Sequence, residues 1–210
     1  MFTGIISGVG AITASVALGS DASHGRTLTI QAPQGYLDDV GLGDSIAING
    51  ACMTVTTFDA AQALFTIDVS AESLVRTAGL DSQGAVNLEK AMRPQDRLGG
   101  HLVSGHVDGV GEVSFFAQVG ESWELRILAP HELSRFLAYK GSITVNGVSL
   151  TVNVVKDLPD QRAEFSINLI PHTIENTALG HLQAGGLVNL EVDLIARYVE
   201  RMLSSGVRPQ

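Results

Sequence analysis

The chain contains its own sequence twice. Asp44 to Val55 reads DSIAINGACMTV and Gly141 to Val152 reads GSITVNGVSLTV, with six of the twelve aligned positions identical. TGIISGVGAI from Thr3 is echoed by SGHVDGVGEV from Ser104, and VNLE at Val86–Glu89 by VNLE at Val188–Glu191. The three echoes keep their order, at offsets of 97 to 102 residues. A period of that size is too long for a solenoid unit and suits a duplicated domain. Domains are expected over 1–97 and 98–192, with 193–210 as a tail outside the repeat. Two related folds imply two related pockets, and so two copies of one small molecule.

Most segments read as strands. Residues 45–49, 52–58, 142–146 and 148–155 are short and rich in Ile, Val and Thr, and 26–31, 64–69, 123–128 and 163–169 look similar. Asn49-Gly50 and Asn146-Gly147 punctuate them at hairpin spacing. Helical turns are expected at 34–39, 71–76, 130–137 and 173–178. About six strands per half point to a small antiparallel barrel, since closure removes exposed edges; a flat sandwich is the competing all-β architecture. The tail differs. Leu194, Ile195, Tyr198, Val199, Met202 and Leu203 form one helical stripe, which either packs on its own domain or forms an oligomer seam.

Bulk properties narrow the partners. A net charge of −9 disfavours nucleic acid and anionic membrane surfaces. Cys52 is the only cysteine, so no intrachain disulfide forms and a reducing cytoplasm is the simplest home. The first basic residue is Arg26, and residues 8–19 are apolar but glycine-broken and too short to span a membrane.

Candidate chemistry follows the repeat. Cys52 stands where the second half has Ser149: a small strand residue, or a thiol and a hydroxyl placed in twin pockets. Thr54 and Thr151 fall two residues later and so share their faces, beside the backbone donors of the Asn-Gly turn, where the edge of a flat polar heterocycle could bind. His101 and His106 lie in RLGGHLVSGHVDG; their spacing puts them on opposite faces of a strand, and with no cysteine cluster a zinc site is rejected. Either can move a proton at neutral pH or simply bond a carbonyl. The glycine runs lack GxGxxG and GxxxxGK[ST] spacing, and no GxSxG occurs. Glu72, Glu89 and Asp193 read as surface carboxylates.

MFTGI, NGACMTV, ESLVRT, VNLEKAM, RLGGHLVSGHVDG, KGSITVNGVSLTVN and LIPHT, in this order from Met1 to about Asp193, together resemble the riboflavin synthase family, alpha chain. The resemblance implies two tandem six-stranded Greek-key barrels, each binding a lumazine, and a C-terminal helix that assembles a homotrimer. It implies dismutation of two molecules of 6,7-dimethyl-8-ribityllumazine, by transfer of a four-carbon unit, to riboflavin and 5-amino-6-ribitylamino-2,4-pyrimidinedione. No cofactor and no metal is required. The working pair of lumazines would sit between the first barrel of one subunit and the second barrel of a neighbour. The family's catalytic positions map onto Cys52, His106, Ser149 and Asp193. Its substrate-binding positions map onto Phe2, Gly4, Ile5, Ser45, Thr54, His101, Lys140, Thr151, Ile170 and Thr173. A non-catalytic lumazine or flavin carrier is the alternative within the same resemblance.

Overall fold

A computed structural model describes residues 1–21 and 23–206. The last four positions of the expected tail, and position 22, lie outside the described residues.

The first half is an antiparallel barrel of six strands: β1 (Gly8–Ala17), β2 (Arg26–Gln31), β3 (Ser45–Ile48), β4 (Ala51–Asp59), β5 (Leu64–Val69) and β6 (Gly84–Lys90). It closes in the Greek-key order β1-β2-β5-β4-β3-β6. Alternation drives the closure. In β4, Ala51, Met53 and Val55 are buried, whereas Cys52 and Thr54 point away from the core. The second half repeats the order with β7 (Gly109–Val119), β8 (Ser122–Ala129), β9 (Ser142–Val145), β10 (Val148–Thr151), β11 (Val154–Asp157), β12 (Ala163–Leu169) and β13 (Leu187–Val192).

The ladders of the two halves differ at one strand. The counterpart of β4 is cut at Val152-Asn153 into β10 and β11, which leaves the second sheet open in its ladder. The reason is a change of partner. The Val152 N–H donates to Gly141 and the next N–H, from Asn153, donates to Ser166. The first barrel absorbs the same stress as a bulge between Val55 and Thr57 without breaking the strand.

Both Asn-Gly turns are two-residue hairpins with positive φ at each position, 45° and 86° at Asn49-Gly50 and 47° and 80° at Asn146-Gly147. They pack back to back at the pseudo-twofold axis between the halves. The Asn49 side chain accepts from the Asn87 N–H at 2.9 Å and Asn146 accepts from the Asn189 N–H at 2.8 Å. Asn87 and Asn189 then donate across the axis, to the Asn146 carbonyl at 2.9 Å and the Asn49 carbonyl at 3.0 Å. Their side-chain oxygens accept from Ala178 and Ala78 respectively. All four asparagines are buried and paired, so this polar seam fixes one relative orientation of the halves.

Short helices occupy three of the four expected places: α1 (Ala71–Arg76), α2 (His131–Ser134) and α3 (Pro171–Asn176); residues 34–39 form turns instead. The tail is α4 (Leu194–Ser204), capped by Asp193, whose carboxylate accepts from the Ile195 N–H at 2.9 Å. Arg197 to Asp108 and Arg135 to Glu200 tie its polar side to the second half. Its apolar stripe faces outward: Ile195, Tyr198, Val199, Met202 and Leu203 are all exposed. No helix among the described residues is long and apolar enough to cross a membrane.

Candidate functional site

The segments that precede β1 and β7 change sides. Residues 2–6 leave the first half and run along the second, and residues 103–107 do the reverse. Ile6 packs on the second core and Val107 on the first. Phe2 and Val103 meet at the crossing and exchange both backbone hydrogen bonds, at 2.8 and 3.1 Å. Gly4 then accepts from the Ser149 N–H at 2.8 Å, and Gly105 from the Cys52 N–H at 2.8 Å. The two sequence-aligned positions, thiol and hydroxyl, are thus held by the same bond to the other half's arm.

Glycine is required where these arms pass. A Cβ on Gly105, which has φ of 81°, would lie 2.7 Å from the Cys52 Cβ and 2.7 Å from the Phe2 ring. A Cβ on Gly4, at φ 76°, would lie 2.6 Å from the Ser149 Cβ.

Each arm is anchored by a buried carboxylate. Glu89 accepts from the Thr3 N–H at 2.7 Å, the Thr3 hydroxyl at 2.8 Å and the Gly4 N–H at 3.0 Å. Glu191 accepts from the Ser104 N–H at 2.7 Å, the Ser104 hydroxyl at 2.7 Å and the Gly105 N–H at 3.0 Å. This corrects the expectation that Glu89 is a surface group: it is 5% exposed and Glu191 is 3% exposed. Neither has a Lys or Arg ion-pair partner among the described residues. Burial pushes both carboxyls above the usual carboxylate range, and the donors from the arms pull them partly back. The repeated VNLE motif carried the signal, since an identical acid at both copies is more than a solvated charge requires.

Ser149 is the most chemically loaded position. His101 Nδ1 lies 2.7 Å from its hydroxyl oxygen, across 48 residues of sequence. The other ring nitrogen, Nε2, is buried without a hydrogen-bond partner. Burial lowers the His101 pKa from 6.5, and the negative charge of Asp193 acts against that shift. A neutral imidazole against a hydroxyl is the geometry of a base poised to take its proton. The loop geometry also overturns one expectation: residues 101–106 are irregular backbone apart from a single bridge at Val103, so His101 and His106 are not on opposite faces of a strand. His101 is buried and His106 is exposed.

The structure distributes the remaining candidates. Phe2 is fully buried in a small cluster with Ala47 and Val103, against Cys52, so within this chain it supports the thiol from below and offers no surface of its own. Ser45 faces Thr54 across β3–β4, and Ser142 faces Thr151 across β9–β10. Lys140 takes a left-handed φ of 62° and its ammonium donates to Asn153 at 2.8 Å. Ile170 and Thr173 lie at the start of α3, with Ile170 exposed. The Asn-Gly turns were expected to offer backbone donors to a ligand. Instead the Asn49 N–H is used by Asn87, and the turns face each other.

A cleft of about 760 Å³ opens at the mouth of the first barrel. Thr3, Ile5, Ser45, Glu89, Lys90 and Arg93 are among the residues that line it. It brings together two of the sequence candidates, Ile5 and Ser45; its size suits a small heterocycle with a polar chain. Among the described residues no three His, Cys, Asp or Glu side chains converge as a metal site.

Comparison with known proteins fits this duplicated architecture. The lumazine binding domain family matches residues 3–91 and again residues 104–193. A riboflavin synthase of Actinobacillus pleuropneumoniae is 45% identical over 205 residues, covering 97% of this chain and 90% of that protein. A riboflavin synthase of Mycobacterium tuberculosis strain H37Rv is 46% identical over 208 residues, covering 98% and 99%. Among solved structures, LumP complexed with 6,7-dimethyl-8-(1'-D-ribityl) lumazine superposes with a TM-score of 0.76 at 25% identity, covering 91% of this chain and 99% of that one. LumP complexed with riboflavin gives 0.78 at 26% identity and the same coverage. With both halves matched and the synthases aligned almost end to end, the chain belongs to the lumazine-binding domain family as a two-domain member of its riboflavin synthase group, a transferase.

Proposed function

We propose that the protein converts two molecules of 6,7-dimethyl-8-ribityllumazine into riboflavin and 5-amino-6-ribitylamino-2,4-pyrimidinedione. The observation that carries this reading is the pseudo-twofold pair of faces, Cys52 with Thr54 and Ser149 with Thr151, each fixed to the opposite arm by one hydrogen bond. Two identical substrates that exchange a four-carbon unit need matched but chemically unequal sites. A thiol on one face and a histidine-paired hydroxyl on the other provide them. The atoms balance without an oxidant or reductant, because one lumazine loses the unit that the other gains.

The steps follow from the ring chemistry. The 7-methyl of one lumazine is acidic, since its anion delocalises into the heterocycle; His106, exposed on the second arm, is the base assigned to it. The partner lumazine accepts a nucleophile at C7 from among Cys52, Ser149 and water, and the 2.7 Å contact to His101 supports Ser149 in that role. Holding the two rings in contact contributes up to about 7–11 kcal/mol in favourable cases.

A carrier without catalysis is the second reading, favoured by the likeness to LumP. The identity to the synthases, 45% against 25%, weighs against it, as does the Ser149–His101 pair, which a carrier does not need. Incubating the purified protein with the dimethylribityllumazine decides between them. Riboflavin and the pyrimidinedione should appear in equal amounts; bright binding with no product would establish the carrier.

The chain is further proposed to work as a homotrimer in the cytoplasm, sealed by the outward stripe of α4. Burying the exposed Ile195, Val199, Met202 and Leu203 of that stripe would stabilise an assembly by at most about 1.5–3 kcal/mol each. Removing the chain from Leu194 onward should reduce the sedimentation coefficient to that of a smaller species and lower turnover with it. An unchanged sedimentation profile would take α4 out of the interface.

A further inference from the structure

We infer that the two buried glutamates are crossed positioning residues: Glu89 of the first half sets the Ser149–His101 pair of the second, and Glu191 of the second half sets Cys52 of the first. The bonds form two short relays. Glu89 holds Thr3 and Gly4 through three donors. The Thr3 carbonyl accepts from the His101 N–H at 3.1 Å, and the Gly4 carbonyl accepts from the Ser149 N–H at 2.8 Å. Glu191 holds Ser104 and Gly105 through three donors, and the Gly105 carbonyl accepts from the Cys52 N–H at 2.8 Å. Each glutamate lies on the last strand of its own barrel but acts on the reactive side chain of the other.

The chemistry requires a carboxylate at both places. Every group facing these oxygens is an N–H or O–H, so the ionised acid, which only accepts, meets all of them. Glutamine must turn its amide NH₂ toward one of the three donors, which breaks a bond and sets donor against donor. An ordinary structural staple would be served by a group with fewer demands. What the carboxylate adds is a fixed arm, and there is no slack between arm and site: a Cβ on Gly4 or Gly105 would collide with the side chain it positions.

That Cys52 and Ser149 are reactive in turnover rests on the synthase reading; their positioning by the glutamates does not. Cys52 is the sole cysteine, so its alkylation by iodoacetamide reports one place. In the full-length protein, Glu191→Gln and the milder Ser104→Ala, which removes one donor, should each change that rate by about threefold or more. Glu89→Gln and Thr3→Val, which reach Cys52 only through the packing of Phe2, should change it less than Glu191→Gln does. Those two should instead shift the His101 imidazole titration followed by NMR, which the Glu191 and Ser104 variants leave in place. Far-ultraviolet circular dichroism checks that each variant is folded, and if Glu191→Gln fails to fold, Ser104→Ala alone decides. Equal responses to both glutamates, a response of Cys52 to Glu89 alone, or no response in a folded Ser104→Ala protein would overturn the crossing. Absence of riboflavin formation with the crossed pattern intact would overturn only the synthase reading.

Discussion

Replacing Gly147 with alanine should cost roughly 2–5 kcal/mol, the sum of a left-handed backbone penalty and an overpacked contact. Gly147 has φ of 80°, and a Cβ there would meet the Gly50 nitrogen at 2.8 Å and its Cα at 3.1 Å. Both obstacles are backbone, on a turn whose asparagine is locked into the seam, so neither can swing aside. Gly50→Ala meets the mirror contact, with the Gly147 nitrogen at 2.9 Å. Because the two variants disturb one contact, their costs should not add. Gly120→Ala is the control: it has φ of 64° but nothing within 4 Å of its would-be Cβ, so it should show the backbone penalty alone. Chemical denaturation reads the parent, the three single variants and the Gly50/Gly147 double variant. With total stability of a typical domain at about 5–15 kcal/mol, the loss at Gly147 is a large share. A Gly147→Ala midpoint equal to that of Gly120→Ala would mean that the turns are not in hard contact.

Much of this fold is written locally, and that part was legible. Alternation in IAI and ACMTV separates Ala51, Met53 and Val55 from Cys52 and Thr54, because a strand has only two faces. Asn-Gly marks the hairpins since both positions need positive φ. The α4 stripe is contained in ten consecutive residues, 194–203, whereas Asp193, read as a surface carboxylate, caps that helix. The repeat foretold two sheets of one order.

What stayed hidden depends on where the halves touch. Periodicity carries no information on the crossing of the arms, so it could not show that Ile6 belongs to the second core or Val107 to the first. Glu89 looks like any strand-end acid until Thr3 and Gly4 close over it. His101 was visible as a histidine among glycines, but its partner is chosen by the fold. The division of β10 from β11 likewise arises from a change of backbone partner at Val152-Asn153, which side-chain pattern does not encode.

The pair at Ser149 should account for the largest loss of activity. Ser149→Ala and His101→Ala are each expected to lower kcat by about 10²–10⁴, the range for removing a positioned proton acceptor or what it activates. If hydroxyl and imidazole act as one unit, the double variant should lose no more than the worse single variant. Lumazine binding, followed by fluorescence, should survive in all three. The pH profile identifies the base. Burial lowers the His101 pKa from 6.5, so the folded protein keeps a neutral imidazole at pH values where a free one is already charged. The part of the kcat/KM acid limb that His101 sets should therefore lie below pH 6.5 and be lost in His101→Ala, so the limb should change position between the two proteins. Stability obeys the same sign: below pH 6.5 the unfolded chain takes up a proton that His101 refuses in the fold, so this residue makes the protein less stable as pH drops through that window. Glu89 and Glu191 act oppositely. Their raised values mean that the native state binds protons first, and their contribution grows as pH falls through the folded values toward 4.5. A double variant whose loss equals the product of the two singles would show that Ser149 and His101 work independently, and the hydroxyl would then have to find its base elsewhere.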